Sequence, residues 1–339
     1  MSDESKTSLR KTLKALRDSL PAGLRQLRSA LILQTLQSRP EYLAAKTLAL
    51  THSVGSEVDT VPLIEDRLSA GQKVLLPLIG KRGSMEFHEV AGSLDSLVSS
   101  RYGIPEPDPK IHPLVPPERI DLVVAPGVAF DPQGNRLGLG GGYFDRFLGR
   151  LPERVPVLGL AFECQIVEAV PHDAPDRPVD AVLTERTVYR PQTKEWTSRS
   201  VEETHRLAAE IAAKLSPPLL LRLSGNLGAG KTEWVRGALH SLGWRGPVKS
   251  PTFTLENDYD LGAQGRIVHL DGYRLDSPSA LDLDRLGEIL DDSDSVILVE
   301  WPERFGAAIP FHAPLIEIER VGERERRIRW TAYQERHHL

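Results

Sequence analysis

Gly225-Asn226-Leu227-Gly228-Ala229-Gly230-Lys231-Thr232 reads G-x-x-x-x-G-K-T, the spacing of a phosphate-binding loop. Its flanks decide the reading. The apolar run Leu219 to Leu223 precedes it, and the helix-compatible run Glu233 to Leu242 follows. Strand, glycine loop and helix in that order aim several backbone amides at one point at a helix N-terminus. Glycine there lets the amides approach phosphate oxygens with no Cβ in the way. Gly228, Ala229, Gly230, Lys231 and Thr232 are therefore candidate nucleotide contacts, with Lys231 for the terminal phosphates and the Thr232 hydroxyl for Mg²⁺. The loop begins about two-thirds of the way along a chain of 339 residues, so it accounts for the last third alone.

That length suits two domains rather than one. A hydrophobic content of 40% can fill two cores. A net charge of −5 gives no global attraction to DNA or to an acidic membrane surface, so neither is expected as a partner. The single cysteine, Cys164, cannot form an intramolecular disulfide, which fits a reducing compartment. The polar start, Met1 to Ser8, lacks a signal-peptide core, and no apolar run approaches the ~18–20 residues of a spanning helix. We read a cytoplasmic protein.

The first part opens with two helical patterns: Leu9, Leu13, Leu16 and Leu20, then Leu24, Leu27, Leu31 and Leu36 after Pro21. Strand-like runs follow at 46–52, 73–79, 121–126, 155–161 and 179–184, with a helix at 59–69 and a proline-rich ordered loop at 103–117. Apolar strands alternating with helices predict an open, largely parallel α/β sheet covered on both faces. Residues 191–199 are polar and without period, and read as a linker between domains at 1–190 and 200–339. Ser200 and Glu203 form a capping-box pattern for a helix carrying Leu207, Ile211 and Leu215. Strands at 266–270 and 295–299 and a terminal hairpin turning near Gly322 complete the second domain.

Two acids fit the phosphate loop. Asp271 and Glu300 each end an apolar strand, where a carboxylate can hold Mg²⁺ directly or through water, or orient an attacking water. The ordered set Ser250-Pro251-Thr252-Phe253-Thr254, His269-Leu270-Asp271-Gly272-Tyr273-Arg274 and Glu300-Trp301-Pro302 resembles TsaE, the ATPase partner in bacterial synthesis of threonylcarbamoyladenosine on tRNA. The resemblance runs from Ser200 to about Trp330 and implies a phosphate-loop ATPase that cycles a TsaB–TsaD assembly, with tRNA as its indirect partner. It implies that Thr204 contacts the nucleotide, Lys231 the phosphates, Thr232 and Glu300 the metal, and that Asp271 joins the metal shell. It also places Ser250 and Thr252 on a switch-like loop and Trp301 beside the site, where a core role is the alternative. Asn226 stands where this family often has Asp, and Gly272 where it often has Leu.

A second glycine cluster lies at Arg136-Leu137-Gly138-Leu139-Gly140-Gly141-Gly142-Tyr143-Phe144-Asp145-Arg146. By itself it is either an anion-wrapping loop, with Arg136 or Arg146 adding charge, or a tight structural turn. In order with Lys6 and Arg10, Ser56 to Thr60, Tyr102 to Pro107, Pro126 to Asp131, and His172-Asp173 before Val179-Asp180, it resembles 5-formyltetrahydrofolate cyclo-ligase, also called methenyltetrahydrofolate synthetase. That resemblance covers about Lys6 to Thr187 and implies the fold shared with ribose-phosphate isomerase and CoA transferases. It implies that ATP phosphorylates the formyl oxygen of 5-formyltetrahydrofolate before ring closure to 5,10-methenyltetrahydrofolate. Lys6, Arg10, Gly138, Gly140, Gly141, Gly142, Tyr143, Phe144, Asp145 and Arg146 would bind ATP, Arg146 catalytically. Glu57 would contact the folate, His52 would line its pocket, and Asp145 and Asp180 would hold Mg²⁺. Phe144 replaces the family's usual second Tyr. Lys6 and Arg10 also fit a solvated helix face, Glu57 a helix-start acid, Asp180 a loop cap, and His172 with Asp173 a surface turn.

The sequence thus reads as a fusion of two ATP-dependent activities. The alternative is a chain in which only one half is catalytic and the other is a nucleotide- or folate-binding scaffold.

Overall fold

Apolar runs flanked by turn residues become short parallel strands in the first half of the chain, and helices cover them. The computed structural model describes residues 3–80, 84–100, 103–171, 176–215, 217–262, 265–275 and 280–335; Tyr102, His172 and Asp173 fall outside these. The chain divides into two compact units, Met1–Pro191 together with Gln334–Leu339, and Gln192–Tyr333.

The first unit opens with α1 (Asp3–Asp18), α2 (Ala22–Gln37), α3 (Pro40–Ala44), β1 (Leu48–Ala49) and α4 (Val61–Ser69). Next come β2 (Val74–Ile79), β3 (Met85–Val90), β4 (Val98–Ser99), β5 (Pro105–Glu106), β6 (Leu114–Val115) and β7 (Leu122–Ala125). It closes with β8 (Ala129–Phe130), β9 (Arg136–Leu137), α5 (Tyr143–Leu148), β10 (Val157–Leu160), β11 (Ala181–Leu183) and the start of β12 (Val188–Ser198). β11, β10, β7, β1 and β2 are parallel neighbours in that order; β3 and β6 continue antiparallel at one edge, and β12 pairs antiparallel with β11 at the other. All four residues of both β7 and β10 are buried, as a strand covered on both faces requires. Ile32, Leu36, Leu63 and Ile64 of α2 and α4 pack on one face, and Phe144, Phe147 and Leu148 of α5 on the other. Each such fully buried aliphatic or aromatic side chain contributes roughly 1.5–3 kcal/mol.

The second unit runs α6 (Val201–Ala212), β13 (Leu219–Ser224), α7 (Lys231–Ser241), β14 (Glu256–Asp260) and β15 (Arg266–Asp271), then α8 (Ala280–Leu290), β16 (Ser295–Glu300), β17 (Leu315–Arg320) and β18 (Arg326–Glu335). β15, β16, β13 and β17 are parallel neighbours, with β14 and β18 antiparallel at the two ends. The expected helix start holds: Ser200 Oγ accepts the Glu203 amide, and the Glu203 carboxylate returns to the Arg199 amide at 2.6 Å. Both units are α/β with largely parallel sheets, as the sequence predicts.

Three expectations need correction. The buried face of α2 is Ser29, Ile32, Leu33 and Leu36, while Leu27 and Leu31 face solvent. A helix with leucines on every side has no unique phase in sequence. Of residues 191–199, read as linker, 191–198 are strand: β12 starts at Val188, where Val188 and Tyr189 pair with β11, and Thr193 Oγ1 meets Thr331 Oγ1 of β18 at 3.4 Å. β3, β14 and α8 were not foreseen.

Candidate functional site

In the second unit the functional groups gather at the C-terminal ends of the parallel strands, where open α/β sheets place their ligand crevices. The loop from Gly225 to Gly230 joins β13 to α7. Gly225 has φ +144°, and a Cβ there would lie 2.2 Å from the Ile318 carbonyl, so no other residue fits. Gly230 caps α7 with φ +112°. Lys231 is buried; its Nζ donates to the Gly225 and Asn226 carbonyls at 2.6 and 3.3 Å and sits 3.9 Å from the Trp301 ring centroid. Burial pulls this ammonium below the ordinary lysine range, against the opposing charges of Glu300, Asp271 and Glu303.

Register brings the two acids together, because Asp271 of β15 stands opposite Glu300 of β16. Glu300 Oε1 accepts the Thr232 hydroxyl at 2.8 Å and His269 Nε2 at 3.0 Å. A carboxylate oxygen only accepts, so the fully buried His269 donates through Nε2 as a structural partner of the acid. Thr232 and Glu300 make a hard-oxygen pair of the kind Mg²⁺ takes beside phosphates. Asp271 is differently engaged: Oδ2 accepts the hydroxyls of Ser250 (2.5 Å) and Thr252 (2.6 Å), and Oδ1 accepts the Tyr273 amide (2.9 Å). It ties the 250–254 loop to the site. Tyr273 packs beside Trp301 at 5.2 Å, and Arg274 covers the exposed Phe253 at 4.0 Å. Trp301 has a left-handed backbone, φ 56°. Gly272 is explained by its neighbours, since a Cβ would meet Phe305 at 2.7 Å and the Trp301 carbonyl at 2.9 Å. Thr204 is buried, bonded to Ser198 Oγ at 2.7 Å, and lines a cavity of about 350 Å³ together with Ala229, Gly230 and Arg326.

In the first unit, α1 lies on the β8–β9 hairpin through Leu13, which packs with Val128, Ala129, Leu137 and Val170. This delivers Arg10 to the glycine cluster: its Nε donates to the Gly138 carbonyl at 2.9 Å, and Cζ is 3.6 Å from where a Gly140 Cβ would be. Lys6, one turn earlier, shares that face of the helix. Gly142 caps α5 in the left-handed region, φ 62°. A cavity of about 120 Å³ is walled by Glu57, Arg136, Gly138, Gly141, Gly142, Tyr143, Phe144 and Asp145. Glu57 also borders a second cavity of about 290 Å³ on the side of Arg25 and Ser53. Burial holds the Glu57 carboxyl above the ordinary range, while the Val54 amide and the charges of Arg17 and Lys14 partly oppose it.

Arg136 is the site residue that sequence reading undervalued. Its side chain is 4% exposed, paired with Asp145 and stacked over Phe144 at 5.2 Å. Arg146 is on the outside, donating to the Gly141 carbonyl at 2.9 Å and lying over Tyr143 at 5.3 Å. Phe144 packs against Phe87 and Phe147 with its face under Arg136, so the ring is used and a hydroxyl is not required for packing. His52 bonds the Ser53 carbonyl through Nδ1 and does not line either cavity bordered by Glu57 above. Asp180 is not brought to the cluster: it is exposed, and its Oδ2 accepts the Val157 amide at 2.7 Å at the start of β10, the opposite end of the parallel strands from Pro126 and Gly127. Asp145 is engaged by Arg136. Mg²⁺ would enter this site held mainly by the phosphates of ATP.

Residues 2–185 match the 5-formyltetrahydrofolate cyclo-ligase family and 198–328 match threonylcarbamoyl adenosine biosynthesis protein TsaE. The chain belongs to both families. Its cyclo-ligase part is 35% identical over 160 residues to 5-formyltetrahydrofolate cyclo-ligase of Escherichia coli K12, covering 45% of this chain and 86% of the relative. Its TsaE part is 36% identical over 145 residues to tRNA threonylcarbamoyladenosine biosynthesis protein TsaE of Bacillus subtilis 168, covering 42% and 89%. Among solved structures, 5,10-methenyltetrahydrofolate synthetase of Aquifex aeolicus aligns at 35% identity and TM-score 0.49, over 55% of this chain and 92% of that one. Among the described residues no helix is long and apolar enough to cross a membrane.

Proposed function

We propose that this chain carries two ATP-dependent activities on separate sites: the first unit closes 5-formyltetrahydrofolate to 5,10-methenyltetrahydrofolate, and the second hydrolyses ATP in support of threonylcarbamoyladenosine modification of tRNA, with a TsaB–TsaD-type assembly as its partner. The observation that carries the reading is the presence of two glycine loops, each with its own basic side chains and its own family match.

A formamide carbon is a poor electrophile because the nitrogen lone pair is delocalised into the carbonyl. In the cyclo-ligase reaction the formyl oxygen attacks the γ-phosphorus of ATP, and ADP leaves. The resulting phosphoryloxy iminium carbon accepts the neighbouring folate amine, which gives up its N–H proton, and phosphate departs with the former formyl oxygen. That second attack is intramolecular, where proximity alone is worth several kcal/mol, about 7–11 at the extreme. The protein therefore has to position and to stabilise phosphoryl charge. Arg10 and the cluster Gly138 to Gly142 would hold the phosphates, Arg136 would supply charge from below, and Glu57 would orient the folate from the shared wall. ATP binding by Lys6, Tyr143 and Phe144 belongs to the same proposal, as does folate contact by His52.

In the second unit Thr232 and Glu300 would hold Mg²⁺, which would neutralise charge on the β- and γ-phosphates. Lys231 would leave its loop carbonyls for the phosphates, Thr204 would contact the nucleotide, and Asp271 would set the Ser250–Thr252 loop. The direct test is absorbance of methenyltetrahydrofolate formed by the full-length protein from ATP and 5-formyltetrahydrofolate. Product formation is expected; no product from folded protein would overturn the first assignment.

A further inference from the structure

Arg326 lies 97 residues from Ala229 in sequence, yet its Nε donates to the Ala229 carbonyl at 2.8 Å. Nη1 of the same guanidinium donates to the carbonyls of Glu325 (3.1 Å) and Gly322 (3.4 Å), so the turn between β17 and β18 holds it in place. Its Nε lies 4.0 Å from where a Gly230 Cβ would be.

The Ala229 carbonyl and the Gly230 N–H belong to one planar trans peptide and point in opposite directions. Gly230 has no Cβ and sits at positive φ, so little in the chain itself prevents that peptide from turning over. The hydrogen bond from Arg326 selects one orientation. It thereby fixes the direction of the Gly230 N–H, the amide of the residue at the N-cap of α7. A cation on the carbonyl also polarises the amide and strengthens its N–H as a donor.

We propose that Arg326 is a positioning residue of the second unit's nucleotide site: it sets the Ala229–Gly230 peptide so that the loop presents its amide to a phosphate. The proposal rests on reading that loop as the ATP site. All five tryptophans, Trp196, Trp234, Trp244, Trp301 and Trp330, lie in the second unit, so tryptophan fluorescence of the full chain reports on that unit. The experiment titrates full-length wild type, Arg326→Ala, Arg326→Lys and Lys231→Ala with Mg·ATP and with inorganic tripolyphosphate. Lys231→Ala should abolish both responses; if both persist, the site reading itself fails and this proposal falls with it. Arg326→Ala should weaken ATP and tripolyphosphate by the same factor, about tenfold for one charge-assisted hydrogen bond. Arg326→Lys should recover part of that loss with an unfolding midpoint like that of Arg326→Ala, which separates loop orientation from general stability. Weakening confined to ATP would mean that the guanidinium serves the base, and unchanged binding of both would mean that it serves neither; either result overturns the proposal.

Discussion

Glu300→Gln separates the two things that this carboxylate does. The side chain is 4% exposed, and one oxygen takes both the Thr232 hydroxyl and His269 Nε2. Glutamine keeps an oxygen in that position, so both hydrogen bonds survive while a buried charge disappears; stability should stay within about 1 kcal/mol of wild type. Alanine would strand both donors at about 1–3 kcal/mol each, roughly 2–6 kcal/mol in all. Hydrolysis should respond differently. Removing the charge that would hold the metal against the transferring phosphoryl group should lower the rate by about 10²–10³-fold, or about 2.7–4 kcal/mol of barrier. The assay is phosphate release from saturating ATP with no folate present, beside denaturant unfolding followed by tryptophan fluorescence. Methenyltetrahydrofolate formation by the same preparation is the internal control and should not change. Full hydrolysis by the Gln variant, or a loss of stability as large as that of Glu300→Ala, would refute the assignment of Glu300 to the chemistry.

Glu57→Gln should abolish most cyclisation yet stabilise the fold in a pH-dependent way. Burial raises the folded-state pKa of Glu57 above its unfolded value, so its contribution is greatest at acid pH and is lost as pH rises through the folded pKa. The calorimetric Tm of the variant should match wild type at acid pH and exceed it toward neutrality; an equal offset at every pH would contradict this. Gly272→Leu forces a side chain against Phe305 and the Trp301 carbonyl, and should cost about 1–3 kcal/mol by tryptophan-monitored unfolding. An unchanged midpoint would show that the contact relaxes freely.

What the sequence made legible was what is contiguous. The phosphate loop, its strand and its helix occupy one stretch, and the apolar runs of β7, β10, β15 and β16 have the lengths and flanks of buried strands. Short or polar elements escaped notice: β14 reads Glu256 to Asp260 with four of five residues polar, and its strand state comes from pairing with β15. The site was legible to the same extent. Lys231, Thr232 and Glu300 follow from motif and strand end. Arg136, His269 and Arg326 owe their roles to partners fixed by tertiary packing, up to 97 residues away. Asp180 shows the reverse error, because a carboxylate before a strand can serve a metal or the neighbouring backbone, and here it serves the Val157 amide.

The central claim is that one chain holds two independent ATP sites. The measurement that tests it most directly is a crossed pair, Lys231→Ala and Arg10→Ala, each assayed for methenyltetrahydrofolate formation and for folate-independent ATP hydrolysis. Lys231→Ala should lose hydrolysis and retain cyclisation, and Arg10→Ala should do the opposite. Loss of both activities from either folded variant would contradict the account.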